Sequence, residues 1–392
     1  MDFILEFLNS TGIAELGQDP WFLLKTLIMY AIVGGLVYLA VVKGFEPLLL
    51  LPIAFGMLLA NLPGADLFHM EKFFLGDHVD IAQVISEGSL LDFLYLGVKL
   101  GIYPSLIFLG IGAMTDFTPL IANPKSLFLG AAAQLGVFVA FSGALFIGFT
   151  PKAAAAIGII GGADGPTAIL VTKTLAPVLL GAIAIAAYSY MALIPMIQPP
   201  FMKLLTTKKE RSVVMTNLRT VSKVEKVIFP VLVTLIVTLI IPDAAPLVGF
   251  LMLGNLFNVS GVTDRLSKTA QNELINIVTI FLGVSVGATA NAENFISWTT
   301  LAIIGLGLTA FCLSTCGGLL FGKIMYVVTR GKINPLIGSA GVSAVPMAAR
   351  VAQKVGQKEN PSNFLLMHAM GPNVAGVIGS AVAAGVFLTF FA

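Results

Sequence analysis

Charged residues are scarce in this 392-residue sequence, and cysteine and histidine are scarcer still. Only 11% of the residues are Asp, Glu, Lys or Arg, against roughly 25% in a typical soluble domain, which excludes an ordinary soluble fold. The two cysteines, Cys312 and Cys316, lie in one apolar stretch with no histidine beside them, so they are interpreted as core thiols rather than a metal or redox pair. The three histidines are scattered along the chain, so no metal cluster is expected.

Long apolar runs take the place of the missing charge. Hydrophobic residues make up 57% of the sequence, and several runs approach or exceed the roughly 18–20 residues that span a bilayer as a helix. The clearest runs are residues 21–42, 126–149, 175–195, 295–328 and 364–391. The first of them lacks a basic start and a small-residue cleavage site, so a removable signal peptide is not expected. The chain is therefore predicted to be an all-α, polytopic membrane protein.

Three short motifs recur in the same order in both halves of the chain. An insertion at residues 64–92 is the main difference between the halves. Each half also carries an apolar segment that is interrupted at the same place, which is typical of transporters that bind their substrate between two repeats. We therefore predict a first repeat over residues 1–226, which includes the N-terminal span and a basic connection, and a second repeat over residues 227–392. The matching motifs are residues 57–62 with 251–256, 107–110 with 280–283, and 161–168 with 341–348.

The basic connection, residues 203–226, sets the expected orientation. It contains seven lysines and arginines, and loops of this kind stay on the cytoplasmic side of the membrane. Counting spans from it places residues 64–92 outside and residues 331–334 inside. The two interrupted segments then enter the membrane from opposite faces, so the repeats are predicted to be inverted. Docking of a soluble partner is the alternative use of these charges.

The first broken segment, residues 153–172, contains a carboxylate at its break. Glycines at 161, 162 and 165 and a proline at 166 disfavour a continuous helix there. Asp164 lies among them, and a carboxylate near the centre of a bilayer costs about 2.5–3.5 kcal/mol even on insertion scales. It is interpreted either as the N-cap of the helix that begins near Pro166 or as a ligand for an ion or a proton. Thr167 could add a hydroxyl oxygen.

The second broken segment, residues 334–351, supplies neutral oxygens and a cation. Asn334 precedes a proline in a turn, Gly338 loosens the backbone, and Ser343 offers a hydroxyl. Arg350 lies one turn into the following half-helix. It is interpreted either as a cation that reaches the membrane interface or as a fork for a carboxylate.

Together these groups suit a small cation and an organic anion. One carboxylate, several hydroxyls and freed backbone carbonyls are ligands for Na⁺ in transporters, and an arginine nearby suits an anionic substrate. No P-loop, Ser-His-Asp set or dinucleotide-binding pattern is found in the sequence. The residues alone therefore predict a cation-coupled carboxylate transporter.

Four long motifs resemble the β subunit of the sodium-pumping biotin-dependent decarboxylases, a family that acts on oxaloacetate, methylmalonyl-CoA, glutaconyl-CoA and malonate. They are GGADGPTAI at residues 161–169 and the stretches 184–200, 332–357 and 364–386. The resemblance covers essentially the whole chain. It implies that the protein decarboxylates carboxybiotin and uses the free energy to export Na⁺ across the inner (plasma) membrane. The rival prediction is a cation-coupled secondary carboxylate transporter without enzymatic activity.

The resemblance also implies a fold and partners. The expected fold is an elevator-type transporter bundle, with scaffold and core parts, that forms a homotrimer. The expected partners are a biotin-carrier subunit, a carboxyltransferase α subunit and a small membrane γ or δ subunit. Biotin-acceptor domains carry an Ala-Met-Lys-Met-like motif. The Met-Lys pair of this sequence, Met202–Lys203, lies in the basic connection and lacks the residues that surround such a motif. The biotin is therefore expected to arrive on a partner. The parent acid stays open, because that specificity belongs to the carboxyltransferase.

Six functional residues follow from the same resemblance. The motifs align Tyr190 with the family's tyrosine, although the residue alone reads equally well as a core or interfacial aromatic. The implied roles are catalysis for Asp164, Arg350, Tyr190 and Ser343, carboxybiotin binding for Arg350 and Tyr190, and Na⁺ binding for Asp164, Asn334, Gly338 and Ser343.

Overall fold

The computed structural model describes residues 7, 11–17, 19–75, 78–344 and 346–392. Its α-helices are α1 (Gly12–Leu16), α2 (Pro20–Val41), α3 (Pro47–Ala60), α4 (Ile81–Glu87), α5 (Leu90–Lys99), α6 (Ile102–Met114), α7 (Thr118–Ala122), α8 (Ser126–Ala133), α9 (Leu135–Ile147), α10 (Pro151–Gly158), α11 (Gly165–Leu175), α12 (Leu180–Ala192), α13 (Ile194–Leu205), α14 (Lys208–Arg211), α15 (Lys223–Ile240), α16 (Ala245–Ser260), α17 (Asp264–Thr269), α18 (Ile275–Ala288), α19 (Ala292–Phe295), α20 (Trp298–Val328), α21 (Met347–Glu359) and α22 (Leu366–Phe391). Short 3-10 turns cover Met70–Phe73, Ile159–Gly162, Pro177–Leu179, Pro242–Ala244 and Pro335–Gly341, and a π turn covers Ala270–Leu274.

Several helical stretches are long and apolar enough to cross a membrane. In the described part of the chain there are five, or up to seven if each of two bent pairs is one span. Four of the five coincide with runs predicted from the sequence. The remaining predicted run, residues 175–195, lies in a bent pair whose helices, Pro177–Met191 and Ile194–Leu205, meet at 62°. One further span, Asp264–Ala288, was not singled out because charged residues at its start interrupt the apolar pattern.

Large apolar side chains cover the outside of the helical bundle. Phe146 is 93% exposed, Leu239 is 81% exposed and Trp298 is 78% exposed. A surface in contact with water rarely carries large apolar patches, whereas a surface in contact with lipid requires apolar side chains. The prediction of an all-α, multi-pass membrane protein is therefore confirmed.

The loop at residues 64–92 contains a small departure from the all-α prediction. The two-residue strands β1 (Phe74–Leu75) and β2 (His78–Val79) pair in an antiparallel hairpin. Near it, the fully buried carboxylate of Asp92 accepts hydrogen bonds from the main-chain N–H groups of His69 and Ser89, at 2.8 and 2.9 Å. These bonds fasten the loop to the start of α5.

Two helix pairs join the first half of the chain to the second. Helix α3 packs against α18, and α6 packs against α16. A Cβ atom at Gly56 would collide with the carbonyl of Val284, and one at Gly254 would collide with the carbonyl of Leu109. Glycine therefore permits the close approach of these backbones, as small residues do between helices in membranes.

Two asparagines that the repeat aligned make similar bonds in these pairs. The Asn61 side chain, at the end of α3, donates to the Ala290 carbonyl beyond α18, at 2.8 Å. The Asn255 side chain, in α16, donates to the Thr115 carbonyl at the end of α6, at 2.9 Å. Each amide thus ties its own half to a helix end in the other half.

The long helix α20 packs against both broken segments. Ser314 Oγ donates to the Gly161 carbonyl in the first segment, at 2.7 Å. Gly318 lies against Gly338 in the second segment, where neither residue has room for a Cβ atom. The interrupted backbones are thus enclosed by protein, which is the condition for non-helical backbone at membrane depth.

The second broken segment folds back on itself. At its start, Asn334 Nδ2 donates to the Arg211 carbonyl at 2.9 Å. At the end of α21, Glu359 forms an ion pair with the Arg211 guanidinium, also at 2.9 Å. The start of the segment and the end of α21, which continues it, therefore both lie beside the basic connection, the side on which the sequence placed residues 331–334.

Helix α22 runs without a break through residues 371–373, although Pro372 lies inside it. Within it, Asn373 Nδ2 donates to the carbonyls of Ala340 and Val342, both at 2.9 Å. Asn373, within a continuous helix, therefore fixes the tip of the second broken segment.

Candidate functional site

The chain reverses at Asp164 in the first broken segment. After α10 and its 3-10 turn, Ala163 takes a left-handed conformation with φ 51°. A non-glycine residue in that region costs about 1–3 kcal/mol. Asp164 follows as the N-cap residue of α11. The strained turn thus places the carboxylate at the point where the two half-helices separate.

Two hydroxyl groups donate to one oxygen of the buried Asp164 carboxylate. Thr167 Oγ1 lies 2.7 Å from Oδ2, and Ser380 Oγ, in α22, lies 2.8 Å from it. Hydrogen bonds to an ionised acceptor are stronger than neutral ones, so these donors stabilise the charged form. Ser380 was missed in the sequence because serines in apolar helices usually bond their own backbone, and the Val377 carbonyl is the alternative acceptor for its single hydroxyl hydrogen.

The tips of the two broken segments touch at Ser343. Its main-chain N–H donates to the Gly162 carbonyl over 3.2 Å. Its side chain is nearly buried and lines a cavity that Asp164 also lines. A carboxylate from the first half and a hydroxyl from the second half therefore face one space.

That cavity has a volume of about 560 Å³, within the range of about 300–1,000 Å³ for small-molecule sites. Arg350 contributes a guanidinium that makes no hydrogen bond or ion pair within the described residues. An unpaired guanidinium in a largely apolar cavity fits an incoming carboxylate, which it can hold by two parallel bonds. Its polar lining includes Glu46, Asp164, Tyr188, Asn272, Ser343 and Arg350.

One end of the cavity lies on the side of the basic connection. The lining reaches Thr115, at the C-terminal end of α6. A few residues farther along the chain, the Ile121 carbonyl accepts a hydrogen bond at 3.1 Å from Arg219 in the basic connection. A soluble partner on that side would therefore meet this end of the cavity.

Asn334 and Gly338 lie outside the lining of this cavity. The Asn334 amide is fully buried: its oxygen accepts from Leu336 N, and its nitrogen donates to the carbonyls of Arg211 and Val213. Gly338 is pressed against Gly318. The structure thus brings Asp164, Ser343 and Arg350 together and leaves these two predicted Na⁺ ligands closer to the basic connection.

Tyr190 also lies outside the cavity lining, whereas Tyr188 is part of it. The Tyr190 hydroxyl donates to the Ile304 carbonyl in α20, and its ring packs against Gly307. Residues two apart on a helix point about 200° apart, so only one of them can face the cavity. Helical spacing places the two tyrosines on different sides of α12, but the sequence does not indicate which side of α12 faces the cavity.

Glu46 is a second carboxylate that the sequence analysis missed. It lies between α2 and α3 and lines the cavity. At the end of an apolar run, an acidic residue reads as an ordinary interfacial charge. Its position directly before Pro47, the first residue of α3, was the signal in the sequence that Glu46 lies at the start of a helix.

The fold and site define a multi-pass membrane protein in which two interrupted segments present a carboxylate, a hydroxyl and an arginine to one shared cavity. Residues 25–391 match the family described as the Na⁺-transporting oxaloacetate decarboxylase beta subunit. The chain is 59% identical to the methylmalonyl-CoA decarboxylase subunit beta of Propionigenium modestum, over 99% of both chains. It is 59% identical to the glutaconyl-CoA decarboxylase subunit beta of Acidaminococcus fermentans, over 95% of both. It is 52% identical to the oxaloacetate decarboxylase beta chain of Klebsiella pneumoniae, over 100% of this chain and 99% of the relative. The chain belongs to the family of Na⁺-transporting decarboxylase beta subunits.

Family membership confirms the predicted resemblance and the prediction of a sodium-coupled decarboxylase subunit in a multi-pass membrane setting. The rival prediction, a carboxylate transporter without enzymatic activity, is not favoured. As a beta subunit, the chain is one component of a larger decarboxylase complex.

Proposed function

We propose that this chain decarboxylates carboxybiotin presented by a partner subunit and couples the reaction to Na⁺ export across the cell's inner membrane. The observation that carries the proposal is the shared cavity of Asp164, Ser343 and Arg350, drawn from both halves of the chain. Asp164 and Ser343 suit a cation, and the guanidinium of Arg350 suits an organic anion. Because all three line one cavity, binding of one ligand changes the affinity for the other.

Arg350 is proposed to hold the carboxylate of carboxybiotin. Its guanidinium has no partner among the described residues and offers the fork geometry that matches a carboxylate. Tyr190 is proposed to serve carboxybiotin in a second state of the protein, in which α12 has moved, since its hydroxyl now bonds α20.

Asp164 and Ser343 are proposed to bind Na⁺ between the tips of the broken segments. The hydroxyls of Thr167 and Ser380, already bonded to Asp164, lower the free-energy cost of the charged carboxylate that the ion requires. Asn334 and Gly338 are proposed as further contacts on the route of the ion, nearer the basic connection. The substrate carboxylate leaves as neutral CO₂, and a proton taken up from outside the cavity neutralises the biotin nitrogen, so the cavity loses one negative charge. This change shifts the balance between inward and outward states, because the ion binds them differently.

The energetic scale of this coupling is modest. Moving one Na⁺ against 100 mV costs about 2.3 kcal/mol, and a tenfold concentration gradient adds about 1.4 kcal/mol. One decarboxylation is therefore proposed to drive one or two ions.

Two inverted repeats, residues 1–226 and 227–392, and an elevator-type movement are proposed for the chain as a whole. The proposal is supported by the similar bonds of Asn61 and Asn255, each of which reaches the end of a helix in the other half. The paired contacts α3 with α18 and α6 with α16 support it in the same way. A moving part built from the broken segments would carry Asp164 and Ser343 together.

The proposed partners are a biotin-carrier subunit, a carboxyltransferase α subunit, a small membrane γ or δ subunit and two further copies of this chain in a homotrimer. The carrier would reach the cavity from the side of the basic connection, where one end of the cavity lies. A CoA ester is proposed as the parent substrate of the complex, since the relatives named for CoA esters are 59% identical and the oxaloacetate relative 52%.

The test is Na⁺ uptake and carboxybiotin decarboxylation by the whole complex in liposomes, with Asp164→Asn. We expect both activities to be lost while the complex still assembles, because one charge is removed and the shape is kept. Asp116→Asn is the control, since Asp116 is exposed and only caps the local turn at Thr118. Normal Na⁺ uptake by Asp164→Asn would refute the assignment.

A further inference from the structure

The cavity holds a second carboxylate whose hydrogen bonding differs from that of Asp164. Glu46 lines the same space and is half-buried. Within the described residues its carboxylate has no ion pair and no hydrogen-bond donor. Asp164, by contrast, receives two hydroxyl donors. The Glu46 carboxyl can therefore give up or take a proton without breaking a hydrogen bond to a described residue, whereas the Asp164 carboxyl is engaged by two donors.

The backbone at Glu46 is held in an unfavourable conformation. Its φ of 39° and ψ of 54° lie in the left-handed region, which costs about 1–3 kcal/mol for a residue other than glycine. The Glu46 carbonyl accepts from Leu49 N and Leu50 N, at 3.1 and 2.9 Å, as α3 begins. Glu46 is thus the residue at which the chain turns into α3, and its side chain lines the cavity.

Burial raises the pKa of the Glu46 carboxyl, which lies in the connection between α2 and α3, outside the spanning helices. The charged and titratable groups that share the cavity with it are Asp164, Tyr188 and Arg350. The nearest cation along its own chain segment, Lys43, lies over the ring of Tyr38 at 5.7 Å from its centre. A larger fraction of Glu46 is therefore protonated near neutral pH than of an exposed glutamate.

We propose that Glu46 is the general acid of carboxybiotin decarboxylation. The bond between the ureido nitrogen and the carboxyl carbon breaks, CO₂ leaves, and the bonding electron pair stays on nitrogen. The Glu46 carboxyl gives its proton to that nitrogen and becomes a carboxylate, and water from the side of the basic connection restores the proton. Asp164, whose charged form is stabilised by its two donors, remains the partner of the cation. This inference rests on the proposed function.

The test uses the complete complex in liposomes with Glu46→Gln and Glu46→Asp. Glu273→Gln is the matched control, because Glu273 is exposed and follows the cavity residue Asn272 without lining the cavity itself. Single-turnover decarboxylation of carrier-bound carboxybiotin is measured across a series of pH values, and binding of radioactive sodium is measured on the same samples. Glutamine keeps the size and the backbone preference of glutamate, and the melting temperature checks that the variants fold.

We expect Glu46→Gln to slow decarboxylation about 10²–10⁴-fold, the contribution of a positioned general acid. The wild-type rate should fall as pH rises through the pKa of Glu46, since the acid form is lost, and this fall should be absent in Glu46→Gln. Glu46→Asp should keep the pH dependence at a lower rate, and Glu273→Gln should match wild type. Sodium binding should be unchanged in all of them.

Two results would overturn the proposal. One is a wild-type rate and pH profile in Glu46→Gln. The other is a joint loss of decarboxylation and sodium binding in that variant, which would make Glu46 an ion ligand or a structural residue. A wild-type complex that fails to turn over carboxybiotin would refute the proposed function itself. This result is distinct from the other two because it is observed in the wild-type complex, without any variant.

Discussion

The main-chain N–H of Ser343 donates to the Gly162 carbonyl over 3.2 Å. This bond joins the tip of the second broken segment to the first, directly beside Asp164. Because it uses only backbone atoms, a substitution of the Ser343 side chain leaves the junction intact. The role of the Ser343 hydroxyl can therefore be tested separately from the contact between the two segments.

Ser343→Ala should raise the Na⁺ concentration required for half-maximal decarboxylation while part of the maximal rate survives, because one neutral ligand is lost from several. The measurement is decarboxylation rate against Na⁺ concentration, with K⁺ replacing Na⁺ to hold ionic strength. Ser339→Ala is the control, since the Ser339 hydroxyl bonds the Leu336 carbonyl of its own segment. An unchanged Na⁺ requirement in Ser343→Ala would remove this hydroxyl from the ion site.

Arg350→Lys should lower decarboxylation at least about tenfold, because a lysine ammonium does not reproduce two parallel bonds to a carboxylate. The rate and the concentration of carrier needed for half-saturation are measured in the whole complex. Arg330→Lys is the control, since Arg330 is an exposed cation outside the cavity lining. If both variants work at the wild-type rate, Arg350 serves only membrane orientation.

Tyr188→Phe and Tyr190→Phe should have different effects. The Tyr188 hydroxyl is buried beside the cavity without a hydrogen-bond partner in the described residues, so its removal should leave the melting temperature unchanged and lower the decarboxylation rate. Tyr190→Phe removes the bond to Ile304 and should lower stability by about 1 kcal/mol. Thermal melting and rate are measured for each variant. Tyr190→Phe should also lower the decarboxylation rate, because Tyr190 is proposed to serve carboxybiotin, and an unchanged rate would remove Tyr190 from the carboxybiotin site.

Asp164 and the breaks in the two broken segments could be predicted from the sequence, because each is an exception to the pattern of an apolar membrane helix. A charge in an apolar run is costly, and Gly and Pro disfavour a helix. Asp164 and the turn at Ala163 follow directly from these rules. The rules concern neighbours along the chain, so they need no knowledge of how the helices pack.

The residues that the sequence misjudged or missed depend on packing between distant parts of the chain. Ser380 reaches Asp164 only because α22 lies against α11. The choice between Tyr188 and Tyr190 depends on which side of α12 faces the cavity. Gly338 reads as a loosened backbone, whereas the structure shows a position where a Cβ atom would strike Gly318. Gly338→Cys would therefore disturb the packing against Gly318, so thiol labelling at this position would not report on Na⁺ binding. For the same reason, a loss of activity in any Gly338 variant would report packing.

Asn334 has a second use that must be separated from Na⁺ binding. Its amide nitrogen donates to the carbonyls of Arg211 and Val213 and so fastens the basic connection to the second broken segment. Asn363 donates to the same Arg211 carbonyl, also at 2.9 Å. The chain thus offers a matched pair of buried asparagines with one shared acceptor.

Asn334→Ala and Asn363→Ala should both loosen the basic connection, because each removes a hydrogen bond to the Arg211 carbonyl, at a cost of about 0.5–1.5 kcal/mol per bond. Limited proteolysis within residues 206–213 measures that loosening. Only Asn334→Ala should also raise the Na⁺ concentration needed for half-maximal decarboxylation, since only Asn334 lies on the proposed route of the ion. If the two variants shift proteolysis equally and leave the Na⁺ requirement at the wild-type value, Asn334 is a fastening residue and the sodium pathway does not include it. A raised Na⁺ requirement in both variants would show that the position of the basic connection, and not the Asn334 amide, controls access of the ion.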